Sequence, residues 1–185
     1  MEFQNLKNII LELQSYAKEV KDEDINNFVD AILKAKRIFI AGAGRSGFVA
    51  RGFANRLLHL GFNVYFVGEP TTPPIKQGDL LIIGSGSGTT SGLVIMAKKA
   101  KTQKAMLATI TISPTKTIGS MADAIITLPG TTRLLGNENK IGSIQPVGSM
   151  FEQLSWLVYD GIIMTLMERT KQTNDDLISR HANLE

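Results

Sequence analysis

Twice along this chain, a short apolar run ends in a turn rich in glycine and hydroxyl side chains and then continues as a helix. The clearer case is residues 85–92, Ser-Gly-Ser-Gly-Thr-Thr-Ser-Gly, between a predicted strand at 79–84 and a predicted helix at 89–101. The N–H groups at a helix N-terminus are unpaired and its dipole favours negative charge, so this arrangement predicts an anion site. No lysine lies in the turn, which excludes a nucleoside triphosphate P-loop and favours a smaller phosphate, such as that of a phosphosugar.

The other turn, residues 42–47, has the sequence Gly-Ala-Gly-Arg-Ser-Gly and matches the dinucleotide pattern Gly-x-Gly-x-x-Gly. Glu69 follows the next predicted strand, at about the distance of a ribose-binding carboxylate, so dinucleotide binding stays open. Two predicted helices precede the first strand, however, and Arg45-Ser46 stands where dinucleotide loops usually carry small or apolar residues. Above all, the second phosphate-type turn would lie at the same edge of an open parallel sheet, where one turn can hold phosphate and the other the sugar.

The alternation of apolar runs and helical patterns predicts an α/β fold with a five-stranded parallel, doubly wound sheet covered by helices on both faces. Two N-terminal helices precede it. The predicted strands are 37–41, 63–67, 79–84, about 104–111 and about 124–128. The predicted helices are 3–20, 23–35, 48–60, 89–101, a short one near 117–122, and a long one at 149–170. We expect one domain over 1–185, with helices at 1–35, a sheet core at 36–130, a loop at 130–147, and a long helix with a polar tail at 149–185.

Composition narrows the function classes. The 185 residues are 43% hydrophobic, which excludes a disordered chain. The net charge of +3 is scattered, so no nucleic-acid partner is expected. The absence of cysteine excludes thiolate chemistry, and two histidines make a histidine-rich metal site improbable. Without a signal-peptide pattern or a run of about 20 apolar residues, we expect a cytoplasmic protein that makes no membrane contact.

The predicted helix at 149–170 is apolar nearly all the way round. Its apolar side chains are Met150, Phe151, Leu154, Trp156, Leu157, Val158, Ile162, Ile163, Leu166 and Met167. A surface this broad suggests contact with the sheet on one side and with another subunit on the other, so the residues favour a homo-oligomer.

The two turns together resemble the paired motif of the SIS (sugar isomerase) domain family. The matching residues are Gly42-x-Gly44-x-Ser46 and Ser85-x-Ser87-Gly88-x-Thr90. Four further segments resemble the 6-phospho-3-hexuloisomerases of that family: residues 42–47, Val67-Gly68-Glu69 with Thr72-Pro73, residues 148–152, and the ending Arg180-His181-Ala182-Asn183-Leu184-Glu185. The resemblance covers the whole chain.

The resemblance implies interconversion of D-arabino-3-hexulose 6-phosphate and fructose 6-phosphate through an enediol, without a cofactor. It also implies a homotetramer and a role in formaldehyde fixation or detoxification through the ribulose monophosphate pathway. Such a reaction needs a base above the C2–C3 bond, a group that polarises the carbonyl and an anchor for the phosphate. It requires no metal in principle.

Two residues match the catalytic roles that the resemblance implies. Glu152 aligns with the family's catalytic glutamate, although Ser149-x-x-Glu152 taken alone is a helix capping box, which is the commoner use of this spacing. His181 is implied to assist proton transfer, as a histidine from a neighbouring subunit does in related isomerases. Taken alone, it is an exposed histidine near the end of the chain.

The two turns supply the predicted binding residues. The phosphate ligands are the hydroxyls of Ser85, Ser87 and Thr90 with the backbone of Gly88 and Thr89. The alternative is a purely structural role, in which these residues form a serine-rich turn followed by a helix cap. The residues expected to contact sugar hydroxyls or phosphate are Gly44, Arg45 and Ser46. Spacing alone fits Arg45 equally well as a solvated surface arginine.

Three residues are weaker candidates for the site: His59, Arg51 and Glu69. His59 shares a helical face with Arg51 and Asn55 at four-residue steps, a face better explained by structure or subunit contact. Glu69 either lines the pocket or caps its strand.

Three alternatives to the leading function stay open. Arabinose 5-phosphate isomerases use the same domain, but we expect no accessory regulatory domain after residue 185, and the tail favours the hexulose enzyme. A non-catalytic phosphosugar-sensing SIS module would usually accompany a DNA-binding domain, and no helix-turn-helix pattern is present. A dinucleotide-binding protein would be stabilised by NAD and not by a phosphosugar.

Overall fold

The computed structural model describes residues 3–131 and 142–184. It contains six α-helices: α1 (Gln4–Ala17), α2 (Asp22–Lys34), α3 (Gly44–His59), α4 (Ser91–Thr102), α5 (Ser149–Thr170) and α6 (Asn174–Ile178). The strands of these segments are β1 (Ile38–Gly42), β2 (Val64–Phe66), β3 (Leu80–Gly84), β4 (Met106–Thr111) and β5 (Ala124–Thr127). One 3₁₀ turn spans Gly119–Met121.

The five strands form one parallel sheet in the order β2-β1-β3-β4-β5. The chain winds outward from β1 in one direction to β2 and in the other to β3, so the strand order reverses between β1 and β3. Gly42 pairs with Gly84, which places the carboxyl ends of these two strands level with each other. Ligands of open α/β sheets bind at such a reversal point, and both glycine-rich turns begin there.

Alternate residues of each central strand face opposite layers of helix. Ile38, Ile40, Leu80 and Ile82 belong to the cluster under α2, α3 and α5. Phe39, Ala41, Leu81, Ile83 and Leu107 face the other way, where they pack against Leu93, Ala97 and Ala100 of α4. Burial on both faces explains why these strands read as continuous apolar runs.

The predicted parallel sheet with helices on both faces is confirmed, and α5 has the predicted bounds. The start of α3 was predicted wrongly: the helix begins at Gly44, within the predicted turn, and not at Phe48. It can begin so early because Gly42 and Gly47 pack backbone against backbone. A Cβ added at Gly47 would lie 2.8 Å from the Gly42 carbonyl oxygen. Arg45 and Ser46 therefore stand in the first helical turn.

The predicted loop at 130–147 falls partly outside the described residues, which omit 132–141. The predicted division of the chain into one domain stays a prediction.

Helices α1 and α5 carry apolar side chains that this single chain leaves exposed. Helix α1 has no buried residue. The exposed apolar residues of the two helices are Leu6, Ile10, Leu11, Trp156, Leu157 and Met164. Across the described ranges, no helix combines the length and apolar character needed to cross a membrane.

Candidate active site

The turn after β3, residues 85–90, is named the anion loop here because of its predicted ligand. Its first four residues are buried although two of them are serines. Together with the start of α3 it encloses a cavity of about 150 Å³ at the reversal point of the sheet. The lining residues are Ala43, Ser46, Gly84, Ser85, Gly86, Ser87, Thr90 and Leu93. The fold thus brings the two predicted turns to one cavity.

The anion loop contains hydroxyl groups that are available to donate hydrogen bonds to a ligand. Ser85 Oγ accepts the Gly88 N–H at 3.2 Å, and Ser87 Oγ accepts the Thr89 N–H at 3.3 Å. Within the described residues, neither serine hydroxyl donates to a protein acceptor. Thr90 is the N-cap of α4, but its side chain makes no capping bond in that helix. These hydroxyls and the first N–H groups of α4 are suited to an anionic ligand.

Strand β4 holds the backbone of the anion loop in place. Thr111 Oγ1 donates to the Gly86 carbonyl at 3.1 Å, and Thr109 Oγ1 donates to the Ile83 carbonyl at 2.8 Å. Gly88 has φ of +65°, and a Cβ there would lie 3.3 Å from the Ser113 carbonyl oxygen. Sequence reasoning missed the two threonines. Their signal was a pair of hydroxyls, two positions apart, in an otherwise apolar strand.

Glu152 is bound by Arg45 at the start of α3. Arg45 Nε donates to Glu152 Oε2 at 2.5 Å, and this bond with the carboxylate charge raises the pKa of Arg45 above its ordinary value. The Glu152 side chain is 12% exposed and that of Arg45 is 71% exposed. Ser46, the next residue of α3, lines the cavity, whereas Arg45 and Glu152 are not among its lining residues.

The capping-box interpretation of Ser149 and Glu152 is wrong. The N-cap of α5 is Gly148, with φ of +92°, and no side chain in the described part of the chain caps this helix start. The Glu152 N–H instead donates to the Gly148 carbonyl at 3.0 Å. The carboxylate is therefore not committed to its own helix, and its side-chain partner comes from the first glycine-rich turn.

His181 does not reach the cavity of its own chain. Its ring stacks on that of His59, with centroids 4.7 Å apart, at the carboxyl end of α3. The rise of α3 separates the backbones of His59 and Arg45 by about 21 Å. The pKa of His59 is lowered mainly because its ring is buried. The charges of His181 and Arg56 lower it further.

The remaining candidates lie away from the anion loop or contribute backbone only. Arg51 Nη1 donates to Glu69 Oε1 at 2.6 Å, each side chain is 47% exposed, and the Arg51 guanidinium covers the Phe66 ring. Gly44, with φ of +56°, is the first residue of α3, and Thr89 is exposed. In the described part of the chain, no cluster of three or more acidic, histidine or cysteine side chains could hold a metal ion.

Comparison with known proteins agrees with this architecture. The family model for the SIS domain matches residues 31–137, which include both turns and the strands that carry them. The chain belongs to the SIS domain family. The SIS domain assignment confirms the family expected from the paired motifs.

Several relatives are similar over nearly the whole chain. A Bacillus subtilis protein named 3-hexulose-6-phosphate isomerase is 46% identical over 96% of this chain and 95% of its own length. A Mycobacterium gastri protein of the same name is 39% identical over 98% of this chain and 90% of its own. A crystal structure of a Methanococcus jannaschii protein, described as inferring a function of 3-hexulose-6-phosphate isomerase, is 35% identical with a TM-score of 0.82. It covers 99% of this chain and 100% of its own.

Proposed function

We propose that this protein is an isomerase that interconverts D-arabino-3-hexulose 6-phosphate and fructose 6-phosphate. The observation that carries the proposal is the 46% identity with a 3-hexulose-6-phosphate isomerase over nearly the full length of both chains. The site geometry supports it, because a hydroxyl-lined cavity lies where the two glycine-rich turns meet, and the first turn also supplies the arginine that holds the Glu152 carboxylate. The reaction would serve formaldehyde fixation or detoxification in the ribulose monophosphate pathway.

In this proposal, the anion loop binds the phosphate of the sugar. The Ser85, Ser87 and Thr90 hydroxyls donate to phosphate oxygens, and the backbone N–H groups of Gly88 and Thr89 complete the site. This anchor lies at one end of the cavity that Ser46 also lines. The sugar chain then extends toward Arg45 and Glu152, where Gly44 leaves room because a Cβ there would meet no described atom within 4 Å.

Glu152 acts as the base. It removes the C2 proton of 3-hexulose 6-phosphate, the electron pair of that bond moves toward the C3 carbonyl, and a 2,3-enediolate forms. Glu152 returns the proton to C3, while the O2 hydroxyl proton is given up and O3 gains one, so fructose 6-phosphate forms without net oxidation. Arg45 orients the carboxylate and, with its exposed guanidinium, stabilises charge that develops on the sugar oxygens.

His181 assists proton transfer at the carbonyl oxygen of a site in a neighbouring subunit. The distance between His59 and Arg45 along α3 supports this placement, because a chain cannot bring His181 to its own anion loop without moving the tail. The exposed apolar side chains of α1 and α5 support assembly, which we propose to be a homotetramer in the cytoplasm.

The test is a product assay with purified protein and 3-hexulose 6-phosphate, measuring fructose 6-phosphate. We expect wild-type turnover, and we expect Glu152→Gln to lower kcat by at least about a hundredfold, since proton transfer by a positioned base contributes this much. Glu168→Gln, on the same helix but far from the cavity, is the matched control and should keep wild-type kcat. Near wild-type activity of folded Glu152→Gln would remove Glu152 as the base.

Turnover, ligand binding and melting temperature together separate the alternatives. Faster turnover of arabinose 5-phosphate than of 3-hexulose 6-phosphate would identify the other isomerase. Phosphosugar binding without turnover of either substrate would identify a sensing module. A rise in melting temperature with NAD and none with a phosphosugar would favour a dinucleotide site.

A further inference from the structure

One arginine ties the C-terminal tail to the carboxyl end of α3. Arg180 Nη1 donates to the His59 carbonyl at 3.0 Å, to Gln172 Oε1 at 2.8 Å and to the Asp176 carbonyl at 3.1 Å. The last carbonyls of a helix lack partners within it and carry its negative dipole end, so a guanidinium is well placed there.

The surroundings of Arg180 are shaped to receive its side chain. Gln172 Nε2 donates to the next carbonyl, that of Leu60, at 2.9 Å, so Arg180 and Gln172 together cap two successive carbonyls. Gly61 has φ of +83°, and a Cβ there would lie 3.3 Å from Arg180 Nε. The glycine therefore both ends α3 and leaves space for the guanidinium.

The anchored segment presents His181. The Arg180 N–H donates to the carbonyl of buried Leu177 at 3.1 Å, and the His181 N–H donates to the Ile178 carbonyl at 3.0 Å, so Arg180 and His181 close two overlapping turns. Its ring then rests on buried His59. The cavity beside these two rings also carries Arg56, Trp156 and Asp160.

We infer that Arg180 is a positioning residue for His181: it fixes the tail on α3 so that turnover depends on Arg180 through the histidine beside it. The inference rests on the proposed function, in which His181 takes part in proton transfer. A purely structural arginine would instead contribute to folding stability without a specific effect on turnover.

The test compares Arg180→Ala, His181→Ala and the double variant in the 3-hexulose 6-phosphate assay. We expect His181→Ala to lower kcat about a hundredfold. Arg180→Ala should lower kcat about tenfold or more, because misplacement of a reacting group by about an ångström is costly, while KM changes less than about twofold. The double variant should match His181→Ala, since residues that act through one another are not additive.

Two further variants sharpen the result. Arg169→Ala, which removes the exposed 2.7 Å bond to Asp30 on α2, is the matched control and should keep wild-type kcat. Arg180→Lys should recover part of the lost kcat, because a single nitrogen, Nη1, bonds all three acceptors and a lysine ammonium also carries three N–H donors, although on a shorter side chain. Hydrogen exchange at the N–H groups of 180 and 181 should accelerate in Arg180→Ala and stay unchanged in Arg169→Ala.

The possible failures are distinct. If His181→Ala keeps wild-type kcat while Glu152→Gln does not, the role of His181 in the proposed function falls, and the inference about Arg180 falls with it. If His181→Ala lowers kcat but Arg180→Ala does not, or if the two losses multiply in the double variant, the inference alone is overturned. Unchanged exchange at residues 180 and 181 in Arg180→Ala would also overturn it.

Discussion

Buried polar side chains flank strand β3 at both ends, and they differ in how many hydrogen bonds the protein makes to them. At the amino end, Asp79 is 2% exposed and accepts bonds from Arg37 Nε at 3.0 Å, Arg37 Nη2 at 2.6 Å and the Lys76 N–H at 2.7 Å. At the carboxyl end, Ser85 and Ser87 are 4% and 5% exposed, yet within the described ranges each hydroxyl accepts a single backbone N–H. Both ends are buried, but only the polar group at the amino end has its hydrogen-bonding capacity filled by the protein, and we call this end saturated. The carboxyl end keeps free capacity and is therefore suited to a ligand.

The largest expected effect is at the saturated end. Asp79→Asn removes the buried charge opposite Arg37, so we expect the free energy of unfolding to fall by about 3 kcal/mol. Urea denaturation at pH 7 measures it. Asp30→Asn breaks the half-exposed pair with Arg169 and should cost about 0.5 kcal/mol or less. Similar losses in the two variants would mean that saturation at Asp79 contributes no special stability.

A smaller effect is expected at the open end, and on binding instead of folding. Ser87→Ala removes a hydroxyl that, among residues 3–131 and 142–184, bonds only within its own turn, so stability should change little. KM for 3-hexulose 6-phosphate should rise about tenfold, the value of one hydrogen bond to a charged group. Ser120→Ala, at an exposed serine bonded to the Thr117 carbonyl, is the control. If Ser87→Ala lowers the melting temperature and leaves KM unchanged, this serine contributes to folding and not to binding, which contradicts the distinction between the two ends of β3.

The smallest expected effect is the response of the saturated end to acid. Burial alone would raise the pKa of Asp79, but the bonds from Arg37 and the Lys76 N–H outweigh burial and hold that pKa below its ordinary value. A lowered carboxyl pKa contributes stability above the unfolded-state pKa, and this contribution is lost as pH falls through the folded-state pKa. The stability gap between wild type and Asp79→Asn should therefore narrow on acidification. Urea midpoints at pH 7 and at a pH below the ordinary aspartate pKa of about 3.9 test this, and a widening gap would contradict it.

Much of the fold was predictable because its signals are local. The apolar runs that become strands and the bounds of α5 follow from patterns within single segments. The start of α3 was not predictable, since it depends on the contact of Gly42 with Gly47, which replaces a loose turn with close backbone packing. A glycine pattern shared with dinucleotide sites here serves the fit of a helix against a strand.

The candidate site was predictable in its parts and not in its assembly. Sequence motifs identified both turns, and the parallel topology placed them together. The pairing of Arg45 with Glu152 and the stacking of His59 on His181 join residues more than a hundred positions apart. Such contacts depend on how helices cross, which local spacing does not encode. The same limit explains why Ser149-x-x-Glu152 was open to interpretation as a cap.

The strand order has a consequence for synthesis on the ribosome. Strand β1 lies between β2 and β3, with Ile38 paired to Val64 on one side and to Leu80 on the other. While only residues up to β2 have emerged, one edge of β1 is unpaired and the face that carries Phe39 and Ala41 lacks α4. Because every strand pair in this sheet is non-local, the chain cannot bury its core in short segments as a helical bundle does. Stable folding must wait for α5, whose buried side chains complete the core on the α3 side of the sheet, and the nascent chain therefore exposes its most apolar strands for most of its translation.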